Sequence, residues 1–253
     1  MKTMDSEKGF VNDSDQTTDV PFKISKVSKF NYKEINNWES CLKYMYYVVP
    51  VTEKMLLKNA VIMRILMIFE RIIRILNYKS NGELEIKDTL DKLNNVCKLI
   101  KDNLYEMFNL VDKKIYKIFE NTKYYSLIRV LRHQHNIGRD LIKLIEENIN
   151  QNFTTLNAYI SDYIYMYRAI ISREDTIITG LVRKILTSEE FVNLSYEFRM
   201  DVYKLYGPSW RKNILEKIID IERSLGIDSL SQFTPILDPK EQEFLNLKHF
   251  VID

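Results

Sequence analysis

Glycine and proline are scarce in this chain, which has 6 glycines and 5 prolines among 253 residues. All-β and α/β domains use both residues at their frequent turns, and the sequence contains no alternating apolar run bounded by turn residues. Long stretches without either residue are typical of long helices. Hydrophobic residues make up 45% of the chain, which is enough for a sizeable core. The sequence therefore predicts an all-α protein.

An excess of charge is also missing, since 37 basic residues face 35 acidic ones. This balance gives no general reason to expect binding to nucleic acid or to a membrane surface. The two cysteines, Cys41 and Cys97, are far apart and fit a reduced pair inside the cell. The start of the chain has no signal-peptide character, and charged residues interrupt the most apolar run, Ala60 to Leu76. We therefore expect a cytoplasmic protein without a membrane or nucleic-acid partner.

Apolar residues at helical spacing predict long helices joined by short turns. The predicted helices cover about residues 52–77, 85–119, 122–149, 153–186, 188–206 and 209–225. Thr52 and Ser188 are the N-cap candidates of the first and fifth helices, and Gly207 and Gly226 end the last two. Four helices of this length with short connections favour an up-down four-helix bundle.

The same pattern divides the chain into three segments. Residues 1–48 form an N-terminal extension that is partly disordered, because its first part is polar and rich in Asp, Ser, Thr and Lys. Residues 49–207 form the four-helix bundle and the helix that follows it. Residues 208–253 form a C-terminal helix and a tail that packs on the bundle.

Two stretches in the second half of the chain resemble motifs of a known family. Leu131 to Arg139 resembles the third-helix motif of bacterial hemerythrin-like (HHE cation-binding) proteins, and Tyr167 to Thr176 resembles their fourth-helix motif. Shorter similarities extend the resemblance over about residues 50–235, and they lie at residues 61–70, 186–191, 205–207, 221–227 and 230–235. The resemblance implies a hemerythrin-like bundle and an ancestor with a diiron centre for oxygen binding, sensing or iron handling.

Few of the metal ligands of that family are retained when the motifs are compared residue by residue. The third-helix histidine falls on His135 and the fourth-helix glutamate falls on Glu174, so two of the six core ligands remain. A further histidine of one subgroup falls on Tyr203. The other ligand positions hold Asn59, Met107, Val111 and Ile170.

Histidine is too rare for a diiron site of this kind, which would take about four imidazoles. The chain has 3 histidines, and two of them, His133 and His135, point in different directions on one helix. We therefore predict a hemerythrin-like protein that has lost the diiron oxygen-binding site and any cofactor. It would act as a non-catalytic binding or regulatory protein with an unidentified protein partner. It is not expected to be an enzyme, since neither a nucleophile–base pair nor a phosphate loop is present.

Three other interpretations of the remaining ligands stay open. A mononuclear iron or zinc site could use His135, Glu174 and Tyr203 in an oxygen- or redox-responsive protein. A heme could take His135, Tyr203 or Met107 as axial ligands, although no CxxCH motif is present. Without any metal, His135 and Glu174 could form a buried hydrogen bond with each other.

Overall fold

A computed structural model describes residues 50–78 and 82–229. Every regular element within these two ranges is helical, so the predicted all-α fold is confirmed. None of the helices in these ranges has both the length and the apolar character that crossing a membrane requires. The N-terminal extension predicted over residues 1–48 and the tail beyond residue 229 lie outside the described residues.

Four long helices form the body of the described chain. They are α1 (Val51–Asn77), α2 (Glu83–Lys114), α3 (Tyr125–Asn148) and α4 (Phe153–Arg173). Each helix packs against the next one in the sequence, and α4 packs back against α1. Because the connections between these neighbours are short, successive helices run in opposite directions, as in an up-down bundle.

The bundle core follows the apolar spacing of the sequence. In α1 the buried side chains Met55, Ile62, Ile65, Phe69 and Ile72 recur three, four or seven residues apart. This spacing places them on one face of the helix, toward the other three helices. Burying each such side chain contributes about 1.5–3 kcal/mol, so the common face holds α1 in the bundle.

Two departures from regular α-helix lie next to each other in the structure, since Tyr116 in one donates a hydrogen bond to Glu174 in the other. The helix predicted to reach residue 119 ends at Lys114 and is followed by a 3-10 turn, Tyr116–Phe119. The helix predicted to run without interruption to residue 186 widens into a π-helical turn, Glu174–Ile178, before α5 (Thr179–Ile185). Single π-turns within helices are often found at functional sites. Apolar spacing does not reveal this turn, because the sequence pattern continues through it.

Two further helices, α6 (Ser188–Tyr206) and α7 (Trp210–Ser224), pack against α1 and α2. Gly207 and Gly226 follow them with positive φ angles of 78° and 65°, which confirms the predicted helix ends. The N-cap of α6 is Thr187 and not Ser188, because the Thr187 side chain accepts from the Glu190 backbone N–H. The Glu190 carboxylate in turn accepts from the Thr187 N–H, which completes a capping box.

The first turn of α1 is held by later parts of the chain. The Val51 N–H donates to Ser195 Oγ at 3.0 Å, and Arg183 donates to Thr52 Oγ1 at 3.0 Å. The helix begins directly after Pro50, so Thr52 lies inside the first turn and is not the N-cap. Local sequence could not show this, because the acceptor of the Val51 N–H comes from α6.

Gly138 lets α3 approach α4 closely. It is buried, and a β-carbon at this position would lie 2.6 Å from Tyr167 Oη and 2.7 Å from Tyr167 Cε2. The Tyr167 ring cannot move aside easily, since it packs against Tyr163 with ring centroids 4.4 Å apart and against Phe108 at 5.7 Å. Glycine is therefore required here by space and not by backbone conformation.

The variant Gly138→Ala is expected to lower the free energy of unfolding by about 1–3 kcal/mol, since overpacking outweighs the better helix propensity of alanine. Gly180→Ala is the matched control, because no described atom lies within 4 Å of its β-carbon position. That control should be neutral or more stable by up to about 1 kcal/mol. Urea unfolding followed by circular dichroism measures both. Equal stability of the two variants would show that Tyr167 does not restrict this position.

Candidate functional site

His135 and Glu174 both lie in the interior of the bundle. His135 is in the middle of α3, and Glu174 is the first residue of the π-turn after α4. Both side chains are 0% exposed. Two titratable groups buried this completely need partners, because an unpaired buried charge is very costly.

The partner of Glu174 is Lys58, which α1 places in the core. Lys58 Nζ lies 2.7 Å from Glu174 Oε2 and 2.9 Å from Glu174 Oε1, and the lysine is 1% exposed. Lys58 comes three residues after Met55 and four before Ile62, so it belongs to the buried face of the helix. The ammonium group therefore binds both oxygens of a carboxylate that is fully removed from solvent.

Tyr116 completes the hydrogen bonding of this carboxylate. Its phenol donates to Glu174 Oε1 at 2.7 Å from the 3-10 turn. Burial raises the pKa of Glu174, but Lys58, His135 and the hydrogen bonds from Lys58 and Tyr116 outweigh burial and hold the pKa below its usual value. Burial and the nearby Glu174 charge raise the pKa of Tyr116 well above its usual range. The stable arrangement is an ionised Glu174 between two donors.

His135 does not bind Glu174, so the interpretation that these two residues share a hydrogen bond is wrong. The Nδ1 atom of His135 lies 3.1 Å from Asp112 Oδ1, and the ring stacks on Phe108 and Tyr116 with centroids 4.9 and 5.7 Å away. Its Nε2 atom is buried and has no hydrogen-bond partner within the described ranges. The reason for the difference is that Lys58 and Tyr116 already satisfy Glu174.

Buried side chains occupy the other positions that the resemblance to hemerythrin-like proteins assigns to metal ligands. Met107, Val111 and Ile170 are 3%, 0% and 1% exposed and belong to the apolar core. Asn59 is buried next to Lys58, and its Nδ2 donates to Asp175 Oδ1 at 2.6 Å. Adjacent residues of α1 therefore hold adjacent residues of the π-turn.

Tyr203, the third ligand of the predicted mononuclear site, is on the outside of the protein. It lies on α6, which packs against the outer side of α1 and α2, and it is 48% exposed. The structure therefore does not bring Tyr203 to His135 and Glu174. The sequence could not show this position, because neither the resemblance nor helical spacing shows which face of α6 packs against the bundle.

The residues around Glu174 do not fit a metal ion. No group of three or more His, Cys, Asp or Glu side chains that could hold a metal occurs in the part of the chain that the structure describes. The Lys58 ammonium already binds both Glu174 oxygens, so an added cation would meet a positive charge at the same carboxylate. The His135 Nε2 atom, which has no hydrogen-bond partner among the described residues, is one ligand atom, whereas protein sites for zinc use three or four ligands.

Reasoning from the sequence missed three members of this site: Lys58, Tyr116 and Asp112. A signal for Lys58 was present, since a lysine on the apolar face of a helix needs a buried acidic partner. No comparable signal pointed to Tyr116, because the 3-10 turn that orients it was not predicted. No signal in the sequence pointed to Asp112, which directly follows the apolar residue Val111.

The variant Tyr116→Phe is expected to lower the free energy of unfolding by about 1.5–3 kcal/mol, the usual value of a hydrogen bond to a charged group. The loss arises because Glu174 keeps its charge and loses one donor. Tyr165→Phe is the control, since Tyr165 is 81% exposed and its hydroxyl can bind water in both states. Chemical unfolding at neutral pH measures the difference. Equal effects of the two changes would contradict a role of the phenol in holding Glu174.

Similar proteins exist in mycobacteria. The chain is 28% identical over 198 residues to the uncharacterized protein Mb2018 of Mycobacterium bovis and to the uncharacterized protein Rv1995 of Mycobacterium tuberculosis. In each case the match covers 74% of this chain and 75% of the relative. No protein-family model and no solved structure matches the chain.

Proposed function

We propose that this chain is a hemerythrin-like bundle in which the Lys58 ammonium stands in place of the metal, and that it acts as a non-catalytic binding or regulatory protein. The observation that supports this proposal is the fully buried Lys58–Glu174 ion pair. The motifs around His135 and Glu174 supply the resemblance to the metal-binding family. The protein would therefore keep the bundle and work through its surface.

The residues at the predicted ligand positions, together with Lys58, agree with the requirement that buried charges and polar groups have partners. A buried carboxylate needs a cation, and once a metal is lost the carboxylate must be neutralised or paired. Lys58 supplies that cation at 2.7 Å. The former ligand positions Met107, Val111 and Ile170 carry apolar side chains, which removes other polar groups that would lack partners. The site is then stable without any cofactor.

The titratable groups of the site are arranged for stability and not for proton transfer. Glu174 is held ionised by two donors, and the pKa of Tyr116 is raised by burial and by the Glu174 charge. General acid or base catalysis needs a group whose pKa lies near the working pH and which can reach a substrate. Glu174 and Tyr116 are both 0% exposed, so a substrate could not contact them.

Metal analysis tests this proposal directly. The protein is purified without chelator, incubated with ferrous iron under anaerobic conditions, freed of excess metal, and measured by mass spectrometry and visible absorption. We expect well under one equivalent of iron and no charge-transfer band. The variant His135→Leu is the control. Iron that binds equally to this variant and to the wild-type protein is bound away from His135. A full equivalent of iron that depends on His135 would overturn the proposal.

A second function, a mononuclear iron or zinc protein that responds to oxygen or redox state, is favoured by one observation. The buried His135 Nε2 atom has no hydrogen-bond partner among the described residues and could bind a metal. Glu174 would have to leave Lys58 to join it. In this case zinc should raise the melting temperature of the wild-type protein and leave that of His135→Leu unchanged. An equal response of both proteins would rule this function out.

A further inference from the structure

A cleft opens between α1, α6 and α7, away from the buried ion pair. Its volume is about 210 Å³, and α2 contributes the side chain of Met107 to its lining. The buried part of the lining is apolar and comes from three helices: Val61 on α1, Met107 on α2 and Phe198 on α6. Apolar cavities of about 150 Å³ can bind benzene, so this cleft has room for a ring-sized apolar group.

Positive charge lies at the same cleft. Lys54 of α1 and Arg211 of α7 both line it. Arg64 also lines it, but its guanidinium forms two hydrogen bonds with the Glu222 carboxylate, so its charge is already matched. Lys54 and Arg211 come from helices that are far apart in the sequence, and the packing of α7 on α1 brings them together.

Other positive side chains lie near Lys54. Partial burial lowers the pKa of Lys54, the nearby Arg199 and Arg211 lower it further, and among the described residues Glu53 acts in the opposite direction. Like charges held this close repel one another, and an anion placed between them would relieve the repulsion. Anions bound by both arginine and lysine gain charge-assisted hydrogen bonds, which are stronger than neutral ones.

Trp210 adds an aromatic side chain to the lining. Its ring stacks on Tyr206 with centroids 5.1 Å apart, which holds the indole in place at the cleft. An apolar cleft with a few polar groups at one side is the usual form of a small-molecule site.

We infer that this cleft binds a small aromatic carboxylate, with its ring against Val61 and Phe198 and its carboxylate between Lys54 and Arg211. The inference goes beyond the proposed function, which concerns the buried ion pair and names no ligand. It rests on two features of one cavity: an apolar floor, and two cationic side chains in the same lining.

Titration of the full chain with benzoate, followed by calorimetry and by tryptophan fluorescence, tests this inference. The chain has 2 tryptophans, so Trp38→Phe provides a background in which Trp210 is the only fluorescent tryptophan. We expect saturable one-to-one binding that weakens as salt is raised. Benzyl alcohol has a similar ring without the charge. Its affinity should be lower than that of benzoate by at least about tenfold, because it cannot pair with Lys54 and Arg211.

Two variants locate the site. Arg211→Gln and Lys54→Gln should each weaken benzoate binding by about tenfold, which corresponds to the loss of one charge-assisted contact. Arg129→Gln on α3 is the control, since Arg129 does not line this cleft. The absence of saturable benzoate binding would overturn the inference, as would equal binding by the three variants or equal binding of benzyl alcohol. The iron content of the protein is independent of all these outcomes, so the proposed function is tested separately.

Discussion

Replacing Lys58 with methionine should lower the free energy of unfolding by about 3–5 kcal/mol, the typical cost of removing one partner of a buried ion pair. Methionine fills a similar volume, so the main change is the loss of the ammonium group that lies 2.7 Å from Glu174. The carboxylate, which is 0% exposed, would then be buried with Tyr116 as its remaining donor.

The pH dependence of this loss gives the prediction a definite sign. In the wild-type protein the pKa of Glu174 lies below its usual value of 4.5, although burial raises it, because Lys58, His135 and two hydrogen-bond donors outweigh burial. The stability that this carboxylate contributes is therefore present above about pH 4.5 and is lost as the pH falls through the lowered pKa. Without Lys58, burial should raise the folded-state pKa above the unfolded one.

The deficit of Lys58→Met should therefore be largest at neutral pH and should shrink as the solution becomes more acidic. Its folded state takes up a proton at a higher pH than its unfolded state does, so protonation stabilises it. Urea unfolding of wild type and variant at several pH values measures the difference. Lys54→Met is the matched control, since Lys54 lies one turn earlier on α1 and is only partly buried. A deficit that stays constant with pH would contradict the assignment of the loss to Glu174.

The variant Glu174→Gln should also lower the free energy of unfolding by about 3–5 kcal/mol, because it removes the other partner of the ion pair. It leaves the Lys58 ammonium buried at 1% exposure without a counter-charge. Tyr116 keeps an acceptor in the glutamine oxygen, so the loss reflects the unpaired ammonium more than the phenol. Glu70→Gln is a suitable control, because Glu70 lies on the surface of α1 and pairs with the exposed Arg168. Surface pairs of that kind contribute only about 0–1 kcal/mol.

The double variant Lys58→Met with Glu174→Gln should be considerably more stable than the sum of the two single losses predicts. Removing both charges leaves no uncompensated ion in the core, and such replacements are often neutral or stabilising. A full double-mutant cycle by chemical unfolding measures the coupling. Additive losses would mean that the two residues do not depend on each other, and the view of Lys58 as the substitute for a metal would fail.

This cycle also bears on what the protein binds. If the single variant Lys58→Met, which keeps the Glu174 carboxylate, shows the wild-type response to iron and to benzoate, the buried pair serves only the stability of the bundle. If Lys58→Met gains iron, Lys58 is the group that excludes the metal from the wild-type protein. The two results separate a structural role of Lys58 from a role in metal exclusion.

Most of the helical architecture was predictable from local sequence. The apolar spacing in α1 and the scarcity of glycine and proline define long helices, and Gly207 and Gly226 mark helix ends because only glycine adopts their positive φ angles easily. The start of α1 was predicted to within one residue, but its capping was not predictable, since the Val51 N–H donates to Ser195, 144 residues away. Local signals fail where the hydrogen-bond partners come from distant elements.

The candidate site was predictable only in part. His135 and Glu174 were expected in the interior, and both are fully buried. Their partners were not expected, because each is contributed by another element: Lys58 by α1 and Asp112 by α2. Tyr203 was assigned to the site by resemblance, whereas the packing of α6 places it on the surface. A resemblance in sequence assigns equivalent positions, but it does not show which face of a helix is buried.

The sequence by itself determined that the chain is helical, which face of each long helix is apolar, and that only three histidines are available. These properties depend on residue type and spacing within one segment. Only the tertiary structure decided that Lys58 meets Glu174 across 116 residues, and that Lys54 and Arg211 share one cleft. Contacts of this kind depend on the rotation and axial position of packed helices. The packing of many side chains together determines both. His135 and Glu174 therefore identify the interior of the bundle, and Lys58 determines the chemistry found there.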